Sequence, residues 1–213
     1  MNIITKLEVG KRNKERVNIY IDNEYALSVS AEIIYKQQLK VKDKIDYNKI
    51  KNLGEEDDLI RCKNTSLKIV ERSHKTEKEI RDKLKLKEYN SITIENTIKF
   101  LKEYNFINDY NYTKMYIRDK LKTQGERKIR YSLISKGIDE SIIDEIIDGI
   151  EDIDSKNIAY ELARKKYRVI IKRETDKYKI SQKLYAFLVG RGYSYNIVSD
   201  IVKEVISENN LEG

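Results

Sequence analysis

A register of six apolar positions occurs three times in the last two-thirds of this 213-residue chain. The copies begin at Ile80, Ile129 and Leu184, and in each copy apolar residues follow at offsets of 4, 9, 14, 18 and 21 without insertion or deletion. The positions are Ile80, Leu84, Tyr89, Ile94, Ile98 and Leu101; Ile129, Leu133, Ile138, Ile143, Ile147 and Ile150; and Leu184, Leu188, Tyr193, Val198, Val202 and Val205. Such self-similarity is the signature of a repeat architecture.

The spacing inside each copy predicts two short amphipathic helices joined by a turn. The break falls at Glu88, Gly137 and Gly192, and glycine commonly ends a helix in the left-handed conformation. A further apolar-periodic stretch precedes each pair, so each repeat has three predicted helices. We therefore predict a mainly α fold in which three tandem three-helix repeats form an elongated or crescent-shaped array, because such small helix pairs cannot bury their apolar faces alone.

The N-terminal section has a different period. Partial alternation and β-branched residues at 3–9, 17–21 and 25–29 predict three short strands, with a hairpin connection at Asp22-Asn23-Glu24. A short helix is expected at 31–37, and a long helix from about 46 to 73, weakened at Gly54, runs into the first repeat. The predicted segments are an N-terminal β-strand and helix extension at 1–58 and helical repeats at 59–108, 109–153 and 154–213.

Polar residues mark the starts of several predicted helices. Thr76-Glu77-Lys78-Glu79 fits a capping box, in which a threonine and a glutamate three residues later satisfy each other's backbone N–H groups. Asp109 is a predicted cap for the helix that leads the second repeat, and Ser181 marks the predicted start of the third pair.

Nothing in the sequence requires catalysis. The chain lacks the GxxxxGK[ST], GxGxxG and GxSxG motifs. The single histidine, His74, has no second histidine or cysteine nearby to complete a metal site, and the single cysteine, Cys62, has no CxxC partner. Asp144 and Asp148 lie four residues apart on one predicted helix face, which suggests a divalent-metal site, but a solvated acidic face is favoured because metal loops need ligands that converge from a defined turn. We expect a non-enzymatic protein that uses no cofactor and no metal.

Composition narrows the class of protein. There is no proline and there are only eight glycines, which predicts a chain that is ordered for most of its length, and 37% charged residues favour several small cores over one large core. We find no apolar run typical of a signal peptide or a membrane span, and a lone cysteine cannot form an internal disulfide. A cytoplasmic protein without a membrane partner is expected.

Charge is unevenly distributed along the chain, whose net charge is +7. Residues 164–183 contain nine basic and two acidic residues, whereas residues 138–154 contain eight acidic and no basic residues. Exposed lysine and arginine attract phosphates through counterion release; the alternative is that they form ordinary solvated helix faces with local ion pairs. The predicted binding residues are Arg72, Lys120, Lys122, Arg127, Lys128, Arg130, Arg164, Lys165, Lys166, Arg168, Lys172 and Arg173.

Several motifs, taken in order, resemble the RecX family of RecA recombinase modulators. They are residues 66–84 (SLKIVERSHKTEKEIRDKL), Phe106-Ile107-Asn108-Asp109, Gly125-Glu126-Arg127-Lys128-Ile129, Lys136-Gly137-Ile138 and the strand-like residues 16–22 (RVNIYID). The resemblance covers nearly the whole chain. It implies a role in homologous recombination, DNA repair and the SOS response, in which the protein binds in the groove of the RecA–DNA filament and restrains its ATPase and strand-exchange activities.

Three hypotheses follow. The first is a monomeric regulator that lies along the recombinase filament and touches several protomers and the phosphates of single- or double-stranded DNA without sequence preference, so that many weak contacts act together. The second is a free-standing, sequence-nonspecific DNA-binding protein with no recombinase partner. The third is a helical scaffold whose charges are all solvated.

Overall fold

The computed structural model describes residues 2–149 and 155–208, which form four strands and ten helices. The strands are β1 (Asn2–Val9), β2 (Arg16–Ile21), β3 (Glu24–Ser30) and β4 (Lys44–Ile45). The helices are α1 (Ala31–Lys36), α2 (Tyr47–Arg72), α3 (Glu77–Lys85), α4 (Ser91–Glu103), α5 (Asp109–Lys120), α6 (Glu126–Ser135), α7 (Glu140–Asp148), α8 (Ser155–Ile170), α9 (Lys177–Gly190) and α10 (Tyr195–Glu208). The mainly α prediction with a small N-terminal strand region is confirmed.

The N-terminal strands form an antiparallel sheet in the order β3-β2-β1-β4. Alternate residues of β2 point inward, and Ile19 is fully buried with Ile4 and Val29 of the neighbouring strands. The predicted hairpin between β2 and β3 turns at Asp22 and Asn23, whose φ angles are +49° and +70°. Aspartate and asparagine tolerate this left-handed conformation better than most residues, which is why a turn forms there without glycine.

Helix α2 begins where the Asp46 side chain accepts a hydrogen bond from the backbone N–H of Lys49 at 2.7 Å. It runs for 26 residues through Gly54 without a break. Its buried Asp57 fastens the sheet to the helix, because one carboxylate oxygen accepts from the backbone N–H of Ser30 at 2.8 Å and the other from the Arg16 guanidinium at 2.7 Å. The first half of α2 therefore supports the sheet, and the second half leads the first repeat.

The three repeats have separate apolar cores. The second half of α2 packs with α3 and α4, α5 packs with α6 and α7, and α8 packs with α9 and α10. Every register position that the structure describes is buried, except Tyr89 and Ile147, which are half-buried. Ile150 lies outside the described residues. With the core under the sheet, the described residues contain four small cores, as the composition predicted.

The chain divides into two units, one of residues 1–75 and 80–107 and the other of residues 76–79 and 108–213. The first contains the sheet and the core of the first repeat. The second contains the cores of the second and third repeats together with Thr76–Glu79.

One stacking contact occurs twice inside the second unit. The Lys128 ammonium at the start of α6 donates to the Gly190 carbonyl at the end of α9, 3.2 Å away. The Lys78 ammonium donates in the same way to the Ser135 carbonyl at the end of α6, 3.0 Å away. Gly190 and Ser135 each lie six residues after the first register position of their copies. The two acceptor carbonyls therefore occupy equivalent positions in their copies, and each is reached by a lysine at the start of another helix, a contact that we call a junction.

Glycine is required at the turn that each junction covers. Gly192 has φ +90°, and a Cβ there would lie 2.5 Å from the backbone nitrogen of Lys128. Gly137 has φ +82°, and a Cβ there would meet the Lys78 side chain. The equivalent residue in the first copy, Glu88, also has positive φ (+62°), but its side chain is exposed.

Two predicted helix starts are wrong, and one is confirmed. Helix α9 begins at Lys177, earlier than Ser181, because Asp176 accepts hydrogen bonds from the next turn. Helix α5 is capped by Asn108, whose side chain accepts from the backbone N–H of Asn111, and Asp109 is already helical. The predicted capping box is present, since the Thr76 N–H donates to the Glu79 carboxylate and the Glu79 N–H donates to the Thr76 hydroxyl.

Candidate nucleic-acid interface

The longest basic run of the sequence lies on α8 and the turn that follows it. The helix buries Ala159, Ala163 and Ile170 in the core of the third repeat. Its opposite face exposes Lys165 and Arg168, which are three residues apart and therefore on one side of the helix. Within the described residues, neither has a carboxylate within 4 Å.

This face continues past the end of the helix. Lys172 and Arg173 in the turn are exposed and have no ion-pair partner among the described residues. Glu174 is the nearest acidic residue in sequence, but its carboxylate is held by the Lys183 ammonium at 2.9 Å, and this hydrogen bond lowers the pKa of Glu174. We call Lys165, Arg168, Lys172 and Arg173 the α8 face. Its positive charge is available to a phosphate.

The other two predicted residues of α8 are less available. The Arg164 guanidinium lies 3.6 Å from the Glu161 carboxylate and over the Tyr160 ring. The Lys166 ammonium lies 5.4 Å from the centre of the Phe187 ring, in a cation–π contact that partly buries the side chain. The Arg164 charge is therefore used within α8, and Lys166 contributes to the packing of α8 against α9.

The predicted basic residues of α6 mainly hold the second unit together. Arg130 pairs with Glu126 at 2.6 Å and with Asp144 of α7, and these hydrogen bonds raise its pKa. Arg127 stacks on Tyr195, with its guanidinium carbon 4.9 Å from the ring centre. Lys128 makes the junction contact described above. Most of their partners lie far away in sequence, so the basic stretch alone gave no sign of these roles.

Lys122 belongs to a second exposed basic surface, which is formed by α5 and the turn that follows it. With Lys114 and Arg118 it lies at spacings of four residues beside a shallow groove of about 390 Å³. Neither Lys114 nor Arg118 was among the predicted binding residues, although the four-residue spacing indicated a shared helix face. The remaining predicted residue of this region, Lys120, is paired with Asp119 at 2.9 Å, and this hydrogen bond raises its pKa. Arg72, in the first unit, is exposed at the end of α2.

The acidic segment forms α7 and its flanks. Asp139 caps the helix by accepting from the Ser141 N–H. Glu145 accepts from the Tyr110 hydroxyl, and Asp144 pairs with Arg130 as described. The predicted acidic residues Glu151, Asp152 and Asp154 lie outside the described residues. Part of the acidic charge is therefore used inside the repeat.

Two other kinds of site are absent from the described part of the chain. Among residues 2–149 and 155–208, no group of three or more histidine, cysteine, aspartate or glutamate side chains is placed to hold a metal ion. Over the same residues, no helix combines the length and apolar character needed to cross a bilayer.

Family models match four successive parts of the chain. The regulatory protein RecX N-terminal domain matches residues 2–46, and the first, second and third three-helix domains of RecX match residues 62–101, 108–147 and 154–202. Regulatory protein RecX of Clostridium beijerinckii is 50% identical over 204 residues, which are 96% of each chain. That of Clostridium perfringens strain SM101 is 45% identical over 212 residues, covering 100% of each chain.

Solved structures agree with these matches. A crystal structure of regulatory protein RecX is similar with a TM-score of 0.70 at 27% identity, over 96% of this chain and 100% of that one. The crystal structure of RecX from Lactobacillus salivarius has a TM-score of 0.60 at 27% identity, over 70% of this chain and 97% of that one. From the four domains in order and the full-length identity, we conclude that the chain belongs to the RecX family of regulatory proteins.

Proposed function

We propose that this protein regulates homologous recombination and DNA repair by binding the RecA–DNA filament and restraining its ATPase and strand-exchange activities. Membership of a family of regulatory proteins supports the regulatory role. The observation that carries the DNA contact is the α8 face, whose charges lack ion-pair partners among the described residues. We further propose that the protein acts as a monomer in the cytoplasm, within the SOS response, and catalyses no reaction itself.

The α8 face suits a duplex or a filament better than a small ligand. Its basic side chains follow one side of a helix and the next turn, so they meet a row of phosphates and not a single anion. Phosphate contacts of this kind give affinity without base readout. Repeats joined in series make each further contact intramolecular, which raises the effective concentration of the next one. We also propose the four segments 1–58, 59–108, 109–153 and 154–213 as its functional divisions.

The acidic residues of α7 have a complementary role in this proposal. Glu140 and Asp148 are exposed and have no ion-pair partner among the described residues. They face basic protein surface of the filament or keep this side of the molecule away from DNA, because a carboxylate beside a phosphate is repelled. The proposal therefore assigns α8 to DNA and α7 to protein or solvent.

A free-standing DNA-binding protein is the second candidate, since the same α8 face supports it. The two functions differ in whether the presence of a recombinase on the DNA increases the affinity of the protein. Purified protein is titrated into RecA filaments on DNA and into bare DNA of the same sequence, and strand exchange is followed in parallel. Tighter binding to the filament and slower strand exchange support the regulator. Equal affinity with unchanged strand exchange would eliminate it.

A triple variant tests the α8 face directly. Lys165→Glu, Arg168→Glu and Lys172→Glu reverse three unpaired charges, whereas Lys166 is left intact because it packs on Phe187. We expect lower filament affinity with unchanged helicity. The slope of the logarithm of the binding constant against the logarithm of salt concentration should also become smaller, by about 0.9 for each duplex phosphate that the protein no longer binds.

The control carries the same change in net charge at scattered exposed sites, with Lys49, Lys99 and Lys203 replaced by glutamate. We expect this control to bind like the unmodified protein. Equal binding by both triple variants would mean that net charge, and not the α8 face, determines affinity.

A further inference from the structure

Two adjoining cavities lie along α2 in the first unit. They have volumes of about 740 and 720 Å³, and both are lined by Glu15, Asn64 and Lys68. Along α2 the lining residues recur every three or four positions from Arg61 to Glu71, which places them on one stripe of the helix. We call this surface the α2 groove. The ten-residue step from Arg61 to Glu71 corresponds to about 15 Å of helix axis.

One end of the α2 groove is basic. Lys68 and Lys87 are exposed and, within the described part of the chain, have no carboxylate within 4 Å. The loop between β1 and β2 reaches the same end, because Asn13 and Glu15 line it. That loop also exposes Lys11, Arg12 and Lys14, and these three side chains likewise lack an ion-pair partner among the described residues. The acidic side chains on the lining are Glu15 and Glu71, so positive charge dominates the groove and its rim.

The other end of the groove is aromatic. Phe106 lines it and is 48% exposed, and Tyr104 beside it is 63% exposed. The two rings are nearly parallel, 24° apart, with centroids separated by 6.4 Å. The Phe100 ring lies beside both, with its centroid 5.0 Å from that of Tyr104 and 6.1 Å from that of Phe106, and the ammonium of Lys63, a residue of α2, lies 4.5 Å from the centre of the Phe100 ring. These contacts hold the aromatic pair in place while leaving ring surface open to solvent.

We propose that the α2 groove binds single-stranded DNA, with phosphates at the basic end and an unpaired base stacked on Phe106 or Tyr104. A positive groove combined with exposed rings is the general solution for binding single strands, because every base has a face that can stack. A duplex hides those faces, and an acidic peptide makes no use of the rings. A groove of about 15 Å accommodates a few nucleotides of a single strand.

This inference extends the proposed function by adding a DNA contact to the N-terminal unit, but it does not depend on a recombinase. The predicted binding residues lie in the second unit, apart from Arg72. The α2 groove uses the sheet loop, α2 and the turn after α3, and so it gives the N-terminal extension a role in binding.

The test measures binding of the full chain to a fluorescent oligothymidine of about ten nucleotides, without recombinase. Phe106→Ala should weaken binding about 5- to 150-fold because a base no longer stacks there. Lys68→Gln with Lys87→Gln should weaken it and lower the salt slope by about 0.7 for each phosphate that is no longer bound. Tyr47→Ala and Lys49→Gln are the matched controls, since both residues are exposed at the start of α2 outside the groove. We expect both controls to bind like the unmodified protein.

Several results would overturn the inference. The first is a groove variant that binds like its matched control, with helicity and thermal unfolding unchanged. A second is an acidic peptide that competes as well as the oligonucleotide and is insensitive to Phe106→Ala, which would assign the groove to protein. A third is binding of oligouridine RNA that is tenfold tighter than binding of oligothymidine, which would assign the groove to RNA. If the unmodified protein bound oligothymidine but did not inhibit strand exchange, the proposed function would be contradicted, whereas the inference about the α2 groove would still be supported.

Discussion

The turn between α9 and α10 gives the sharpest test of how the repeats stack. Gly192→Ala places a Cβ 2.5 Å from the backbone nitrogen of Lys128, at a residue whose φ is +90°. The left-handed conformation costs about 1–2 kcal/mol for a residue with a Cβ. Crowding a close-packed contact costs a further 1–3 kcal/mol or so. We therefore expect Gly192→Ala to lower the free energy of unfolding by about 2–5 kcal/mol.

Two more glycines separate these contributions. Gly125 has an ordinary φ of −78°, but a Cβ there would lie 2.5 Å from the backbone nitrogen of Tyr193. Gly125→Ala should therefore show only the crowding effect, about 1–3 kcal/mol. Gly190, at the end of α9, has open space where a Cβ would stand, with no atom within 4 Å. Gly190→Ala should be neutral or stabilising by up to about 1 kcal/mol, because alanine is the better helix former.

The assay is urea unfolding followed by circular dichroism, with hydrogen exchange of the α9–α10 turn as a local measure. The expected order of stability is Gly190→Ala, then Gly125→Ala, then Gly192→Ala. If Gly125→Ala and Gly190→Ala had the same free energy of unfolding, the close approach of Gly125 to the α9–α10 turn would be refuted. If Gly192→Ala were no worse than Gly125→Ala, the argument from left-handed strain would fail.

Two further predictions concern buried or half-buried ion pairs. Asp57→Ala should destabilise the protein by about 3 kcal/mol in urea unfolding, because it leaves Arg16 and the Ser30 N–H without their acceptor; a loss below about 1 kcal/mol would contradict this. Glu79 raises the pKa of Lys136 through a hydrogen bond of 2.5 Å, so the folded state holds the proton more tightly than the unfolded state does. The resulting stability is fully present below the unfolded pKa of about 10.4 and is lost as pH rises through the folded pKa. The stability difference between the unmodified protein and Lys136→Met should therefore be constant below about pH 10 and shrink as the pH rises further, and a difference that stays constant in urea unfolding above that pH would refute the reasoning.

Much of the fold could be predicted because apolar spacing reports directly on burial. The register beginning at Ile80, Ile129 and Leu184 identified the cores of three repeats, and partial alternation identified the strands. Helix starts were less predictable, because several polar residues compete for each cap. Asn108 and Asp109 are adjacent, and only the backbone geometry shows that Asn108 accepts the capping hydrogen bond. Asp176 starts α9 ahead of Ser181 for the same reason.

The candidate site was harder to predict than the fold. The sequence identifies a residue as basic but does not reveal whether its charge is already paired with a carboxylate. Arg130 and Lys165 look alike in sequence, yet Arg130 is paired with Asp144 across the repeat, and Lys165 has no such partner among the described residues. The α2 groove was missed for a related reason, since Lys68, Lys87 and Phe106 come from three separate segments.

The difference between Glu88 and its equivalents Gly137 and Gly192 bears on how internally duplicated chains diverge. All three residues adopt positive φ, and a Cβ at Gly137 or Gly192 would crowd a neighbouring lysine, whereas Glu88 already carries an exposed side chain. A copied turn can therefore drift to a larger amino acid wherever nothing stacks over it, at a modest conformational penalty. Covered turns remain under steric selection for the smallest residue. Among tandem copies, the turns that keep glycine are therefore expected to be those against which another segment packs.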